Sequence, residues 1–390
     1  MRLPRTVVVL GIASFFTDFS SEMIYPLLPV FLSTTLGAGP IALGMVEGVA
    51  ETTAALVKII SGWWTDRTRR RKPFVLAGYA LAGLVRPLIG LASSWLFVLT
   101  MRFLDRVGKG LRTSPRDALI TDVTPSEIRA RAFGLHRSLD HAGAVAGPVV
   151  AAVLMSAAGF PMRTVFFLAA VPAAVVMLVI VYGIRENTAT EADRDEAHAS
   201  TAGRPGERAL RPLLLVLLLF TLGNSTDAFL LLRLSSGGVS AAWIALLWSA
   251  HHVVKMICTY FGGRLADRVG DRPMIQAGWL LYGGVYLGFA YAVTSGQLIA
   301  LFLVYGVYYG LTEPAERAWI SRLASTGRRG RAFGYYHAVI GLAALPASLM
   351  FGALWQAWGV GAAFSMGAVL ALVAAVVVSF VPVRRPVYSS

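Results

Sequence analysis

Charged side chains are scarce in this chain: they make up 14% of its 390 residues, while 56% are hydrophobic. Soluble domains carry about a quarter charged residues, so an ordinary soluble enzyme is excluded. Cysteine is scarcer still. The single Cys258 lies in an apolar run, which rules out an intrachain disulfide and leaves the redox compartment unread. There is no GxxxxGK[ST] phosphate loop and no soluble ATPase domain, so the energy for any work must come from an ion gradient. A net charge of +14 would suggest nucleic acid in a soluble protein, yet no soluble basic face is available to present it. Arg2 and Arg5 before an apolar run resemble a signal peptide, but Asp18 and Glu22 interrupt that run and no small-residue cleavage site follows. The segment reads as a retained first span.

Apolar stretches are abundant. A helix needs about 20 largely apolar residues to cross a bilayer, and such stretches recur at 6–33, 41–64, 74–93, 95–121, 132–157, 162–184, 211–234, 241–266, 274–294, 297–322, 332–357 and 360–382. Twelve spans put both termini on one side. The basic loops 67–72, 129–131, 185–211, 268–272, 328–331 and 384–385 share one face, whereas the opposite loops carry only Arg163. The positive-inside rule then predicts a multi-pass protein of the cell membrane with both termini cytoplasmic.

Residues 186–210 are polar and almost free of large apolar side chains, which reads as a cytoplasmic linker between halves 1–185 and 211–390. The halves repeat: Arg131-Ala132-Phe133-Gly134 recurs as Arg331-Ala332-Phe333-Gly334, and Asp66-Arg67 recurs as Asp267-Arg268. A parallel repeat implies two bundles related by an axis along the membrane normal, with a working site between them near mid-membrane.

On these residues the whole chain resembles the major facilitator superfamily. The stretch 263–270 (GRLADRVG) is similar to that family's loop signature GxLaDrxGrk, and 62–71 (GWWTDRTRRR) is a second copy in which Arg69 replaces the second glycine. Residues 102–110 (RFLDRVGKG) are similar to the span-4 pattern RxxQGxGxG, departing at Asp105, Arg106 and Lys109. Only Arg102 safely inherits that motif's proton-relay role. Residues 143–152 (GAVAGPVVAA) resemble the antiporters' span-5 motif GxxxGPxxGG, with alanines for the last glycines. The resemblance implies an all-α membrane protein of two six-helix bundles. It further implies alternating access without a cofactor or enzymatic activity, in a monomer that carries a small molecule.

Charge inside the membrane is expensive, so each such group should face protein or water. Span 4 carries Arg102, Asp105, Arg106, Lys109, Arg112, Arg116 and Asp117 on one broad helical face. With Arg86 these make the cavity electropositive, suited to a carboxylate or phosphate; Asn224 and His337 are further candidate lining groups. Ion pairs at the cytoplasmic mouth are the other reading of the lower span-4 charges. Asp18, Glu22, Glu47, Glu51, Asp105, Asp140, Asp227 and Glu313 are candidate proton carriers, because buried carboxylates titrate nearer neutrality than exposed ones. Static neutralisation of the cations is the alternative for Asp18 and Glu22. Asp66, Arg67, Asp267 and Arg268 in the loop signatures are expected to lock and release the bundles by pairing with cations or capping a helix. Arg116, Asp117, Glu316 and Arg317 sit at equivalent places with charges reversed, so they are expected to pair across the halves.

His136, Asp140 and His141 on span 5 also suit a polytopic transferase, but such an enzyme needs no two-half repeat. No metal site is expected. The sequence therefore reads as a proton-coupled secondary transporter of a small, anionic organic solute. Export by antiport is favoured slightly through span 5. The alternative is import of an organic acid, sugar or metal chelate by symport.

Overall fold

The computed structural model describes residues 3–28, 31–38, 40–68, 70–183, 205–225, 227–239 and 241–382. They form α1 (Arg5–Glu22), α2 (Pro40–Thr68), α3 (Lys72–Leu88), α4 (Trp95–Val123), α5 (Arg129–Ser156), α6a (Met162–Leu168) and α6b (Ala170–Gly183) in the first half. The second half holds α7a (Pro205–Gly223), α7b (Ala228–Ser236), α8 (Ala241–Val269), α9 (Asp271–Tyr291) and α10 (Ser295–Leu323). A last continuous helix, Arg329–Val377, breaks at Gly359, where φ of 85° divides it into α11 (329–358) and α12 (360–377). No strand occurs among the described residues. The result is the twelve-helix, two-bundle membrane fold.

The repeat is legible in the caps. Ser94 Oγ accepts from the Phe97 amide at the start of α4, and Thr294 Oγ1 accepts from the Gln297 amide at the start of α10, both at 3.3 Å. These oxygens satisfy amides that a helix start leaves without partners. From there the two halves run in register: α4 and α10 both have 29 residues, each followed by a 3-10 turn, Ser126–Ile128 or Thr326–Arg328.

Two expected spans are broken. The first ends its α-helix at Glu22 and continues as a 3-10 turn, Tyr25–Leu27, and a π turn, Phe31–Thr35. The seventh is interrupted between Gly223 and Ala228, where Asn224, Ser225 and Asp227 supply side chains that compete with helical hydrogen bonding. Non-helical backbone at membrane depth persists only where protein satisfies it. Here tyrosines do so: Tyr282 donates to the Gly223 carbonyl (3.1 Å) and Asn224 Oδ1 (3.3 Å), and Tyr286 meets Ser225 Oγ at 3.2 Å. The α7a helix starts at Pro205, so the last residues of the expected linker are helical, while 186–204 lie outside the described residues.

The halves meet through α5 against α8 and α2 against α11. Glycine permits the approach, as expected where packing rather than the hydrophobic effect joins helices. A Cβ on Gly62 would lie 2.2 Å from the Gly330 carbonyl oxygen, and one on Gly263 would lie 2.4 Å from that of Ala130. The repeated tetrapeptide sits at these crossings: Gly134 abuts Gly263, Gly334 abuts Gly62, and Phe133 meets Phe333 with ring centroids 5.9 Å apart.

Candidate functional site

A cavity of about 460 Å³ lies between the halves. Its first wall is charged: Asp18 and Glu22 from α1, Lys58 from α2, Lys109, Arg112 and Arg116 from α4, Arg137, Asp140 and His141 from α5. The opposite wall is largely aromatic, with Phe220, Tyr308, Tyr309 and Tyr336 beside Asn224, His252, Glu313, Glu316, Arg317 and His337. Among the described residues, Asp18, Glu22, Lys58 and Lys109 make no side-chain hydrogen bond or ion pair. Arg112 stacks over Tyr79 at 4.6 Å, yet its Nε and Nη1 lack partners although the residue is buried.

Backbone packing brings the two lysines together. Ser61 Oγ donates to the Gly110 carbonyl (2.8 Å) and Ser114 Oγ donates to the Lys58 carbonyl (2.9 Å). Lys58 and Lys109 therefore leave the α2–α4 crossing at one level, with Arg112 a turn further along α4.

The rest of the charged wall is paired across the halves. Arg137 grips Glu313 with Nε to Oε2 at 2.8 Å and Nη2 to Oε1 at 3.0 Å, and His141 Nε2 reaches the same carboxylate at 3.3 Å. Arg137 also donates to Asp140, whose other oxygen accepts from Ser14. Nearer the end with the basic loops, Asp117 accepts from Arg116 (3.0 Å), meets His337 Nε2 at 2.8 Å and lies 3.9 Å from Arg317. His337 is thus a cross-half partner as well as a lining group. Glu316 does not reach Arg116; it accepts from Tyr336 in its own half at 2.8 Å.

The upper span-4 charges are elsewhere. Asp105 lies 2.7 Å from Arg86, 3.6 Å from Arg102 and 3.9 Å from Arg106, and Arg86 also donates to the Thr17 carbonyl at 2.8 Å. Arg86, Arg102 and Arg106 therefore neutralise one buried acid beside the broken first span and do not line the large cavity, correcting that expectation. Asp105, clamped by three guanidiniums, is no free proton carrier. Glu51 is exposed and 3.8 Å from Arg106, outside the cavity wall. The Glu47 side chain lies outside the described residues. Asp227 sits behind the aromatic wall, accepting from Tyr305 (2.9 Å), Tyr309 (3.1 Å) and Lys255 (3.4 Å).

At the basic end each loop-signature aspartate caps a helix of the opposite half. Asp66 accepts from the Gly330 and Arg331 amides at 2.9 and 2.7 Å, and Asp267 from the Ala130 and Arg131 amides at 3.0 and 2.8 Å. Both sit at helix N-termini, where a carboxylate meets unpartnered amides and the favourable end of the dipole. Burial pushes the Asp267 carboxyl up to about 6, against the lowering pull of the two amides. The expected cations do not take part: Arg67 stacks on Trp63 at 5.6 Å and Arg268 is exposed. Arg71 bonds Asp66 at 2.8 Å instead, and Arg322 reaches Asp267 at 3.3 Å.

Arg137 and Lys58 are lining groups that the sequence did not single out, whereas Tyr308, Tyr309 and Tyr336, aromatics that could line an organic-substrate cavity, do line it. A lone arginine and lysine inside apolar spans were the available signals for the first two. Nothing in the spacing separates Tyr309 from an ordinary packing aromatic.

The family model described as Major Facilitator Superfamily matches residues 10–250 and 233–390. An uncharacterized MFS-type transporter of Methanocaldococcus jannaschii is 31% identical over 385 residues, covering 97% of this chain and 95% of that one. Multidrug resistance protein MdtG of Enterobacter lignolyticus is 25% identical, covering 95% of this chain and 91% of that one. The crystal structure of the human organic anion transporter MFSD10 superposes with a TM-score of 0.81 at 16% identity, covering 97% of this chain and all of that one. The last likeness concerns fold.

Proposed function

The chain belongs to the major facilitator superfamily, and from that premise we propose that it is a proton-coupled, alternating-access secondary transporter of a small organic anion. The observation that carries the substrate class is the set of three cations, Lys58, Lys109 and Arg112, that face the cavity without an acidic partner. A carboxylate, sulfonate or phosphate would supply the missing acceptors, while Phe220, Tyr308, Tyr309 and Tyr336 suit a planar apolar body. Asp18 and Glu22 are the proton carriers, unpaired and four residues apart on one face of α1. Asp140, Glu313 and Asp227 are held by cations and serve as struts.

In this reading the basic end is cytoplasmic, 1–185 and 211–390 are the moving bundles, and the Asp66 and Asp267 caps with the Asp117–His337 contact form the cytoplasmic gate. Breaking those contacts opens the cavity inward. The span-5 motif and the multidrug name of the Enterobacter relative support export by antiport; the positive unpaired charge of the cavity supports symport.

The test is transport into proteoliposomes under an imposed pH gradient, screened against matched anionic and cationic solutes. Anions should move and the gradient should drive them. Movement of cations alone would overturn the substrate class, and gradient-independent movement would remove proton coupling.

A further inference from the structure

The charge inventory of the cavity fixes the sign of coupling. Counting the lining groups with Asp117, six basic side chains (Lys58, Lys109, Arg112, Arg116, Arg137, Arg317) face six acidic ones (Asp18, Glu22, Asp117, Asp140, Glu313, Glu316). Fully ionised, the site carries no net charge. Four of the acids are committed: Asp117 to Arg116 and His337, Asp140 and Glu313 to Arg137, Glu316 to Tyr336. Asp18 and Glu22 make no described bond at all, so they take up protons without disturbing one, and doing so leaves the site with two positive charges.

We infer that protons and the anion bind cooperatively at this site, so that the protein is a proton–anion symporter. An anion entering beside Lys58, Lys109 and Arg112 is repelled by ionised Asp18 and Glu22 and not by their neutral forms. By linkage, whatever the proton does for the anion, the anion does for the proton. Antiport needs the opposite sign, binding of one cargo that excludes the other, which these carboxylates would give only with a cationic substrate. With an inward proton gradient the symport sign means uptake, reversing the lean toward export that the span-5 motif suggests.

The groups facing Asp18 and Glu22 from each packed element are consistent with this sign. They are Lys58 on α2, Arg86 on α3, and Arg102, Arg106, Lys109, Arg112 and Arg116 on α4. From α5 come Arg137, Asp140 and His141, and the second half contributes His252, Glu313, Glu316, Arg317 and His337. Three histidines are among them, and protonating any of them adds positive charge too. They therefore change the size of the effect, not its direction.

The inference rests on the anion reading, and the experiment separates the two. Benzenesulfonate stays a monoanion and phenyltrimethylammonium a monocation throughout pH 5–8, so any pH dependence belongs to the protein. Binding of each to the purified full-length chain is measured by calorimetry at pH 7.5 and 5.5. Benzenesulfonate should bind at least about tenfold tighter at pH 5.5, which corresponds to about 1.4 kcal/mol. Asp18→Asn with Glu22→Gln should bind it at pH 7.5 as tightly as the unaltered chain does at 5.5. Weaker or unchanged binding on acidification overturns symport while leaving the anion reading standing. The same pH dependence in the double variant overturns the assignment to Asp18 and Glu22 and moves it to the histidines. Failure of benzenesulfonate to bind at either pH overturns the anion reading itself.

Discussion

Asp66→Ala removes one of the carboxylates that hold the basic ends of the bundles together, beside Asp267 and Asp122, which accepts from Arg329 across the halves, and the structure sets the size of the effect. Asp66 makes three close bonds, but the one from Arg71 lies within the first half and survives opening. The Gly330 and Arg331 amide bonds, at 2.9 and 2.7 Å, cross between halves and dominate the equilibrium; the Arg331 guanidinium, 3.8 Å away and partly exposed, adds little. Hydrogen bonds to a charged group contribute about 1.5–3 kcal/mol each, so the lower figure gives about 3 kcal/mol and a shift of about 10²-fold toward the state open at the basic end. Asp267→Ala also removes two amide bonds, but burial pushes that carboxyl up to about 6 and offsets much of their contribution, so this variant should shift the equilibrium in the same direction by less and the double variant should fall short of about 6 kcal/mol. The assay is the distance distribution between spin labels at Arg67→Cys and Arg268→Cys in a Cys258→Ser background. Both label sites are exposed and outside the latches. A longer population should grow in each single variant and dominate in the double. Distributions identical to the parent in both single variants would refute the claim that these carboxylates hold the gate.

Three further outcomes follow from the same geometry. Gly263→Ala places a Cβ 2.4 Å from the Ala130 carbonyl oxygen, so the halves must separate at the basic end; the same label pair should lengthen with both latches intact. Asp105→Asn leaves Arg86, Arg102 and Arg106 around a neutral amide and should cost about 3–5 kcal/mol, the usual result of breaking a buried pair. It should lower the melting temperature while leaving benzenesulfonate binding detectable, since none of these groups lines the cavity. Asp267 titrates near 6 in the closed latch and near the ordinary 3.9 once exposed. A raised carboxyl favours the closed state below the lower value, and that contribution is lost as pH rises through the upper one. Acidification from pH 7 to 5 should therefore shorten the label distance, and Asp267→Asn should abolish the change.

The sequence made the twelve crossings legible because apolar length is a direct statement of bilayer thickness, and the repeat made the two bundles legible. The loop-signature aspartates were legible as cross-half latches, since a carboxylate beside a helix start has few other uses. Their expected cation partners were not: Arg67 and Arg268 adjoin the aspartates in sequence, whereas Arg71 and Arg322 reach them by folding. Span 4 shows the same limit. Helical periodicity put Arg102, Asp105, Arg106, Lys109 and Arg112 on one broad face, but it cannot tell which turn of that face meets the cavity and which meets α3. Arg86 decides this by arriving from another helix to claim Asp105. The breaks at residues 23–24 and 224–227 escaped hydropathy because the tyrosines that satisfy the second one lie about 60–80 residues away.

The measurement that bears most directly on the account uses proteoliposomes loaded with a pH-sensitive dye, with no imposed gradient and the membrane potential clamped by potassium and valinomycin. Benzenesulfonate is added outside and the lumen is followed. Co-entry of protons with the anion predicts that the lumen acidifies, and that Asp18→Asn with Glu22→Gln abolishes the signal. A lumen that turns alkaline, or one that does not change, would contradict the claim that this cavity moves protons and an organic anion together.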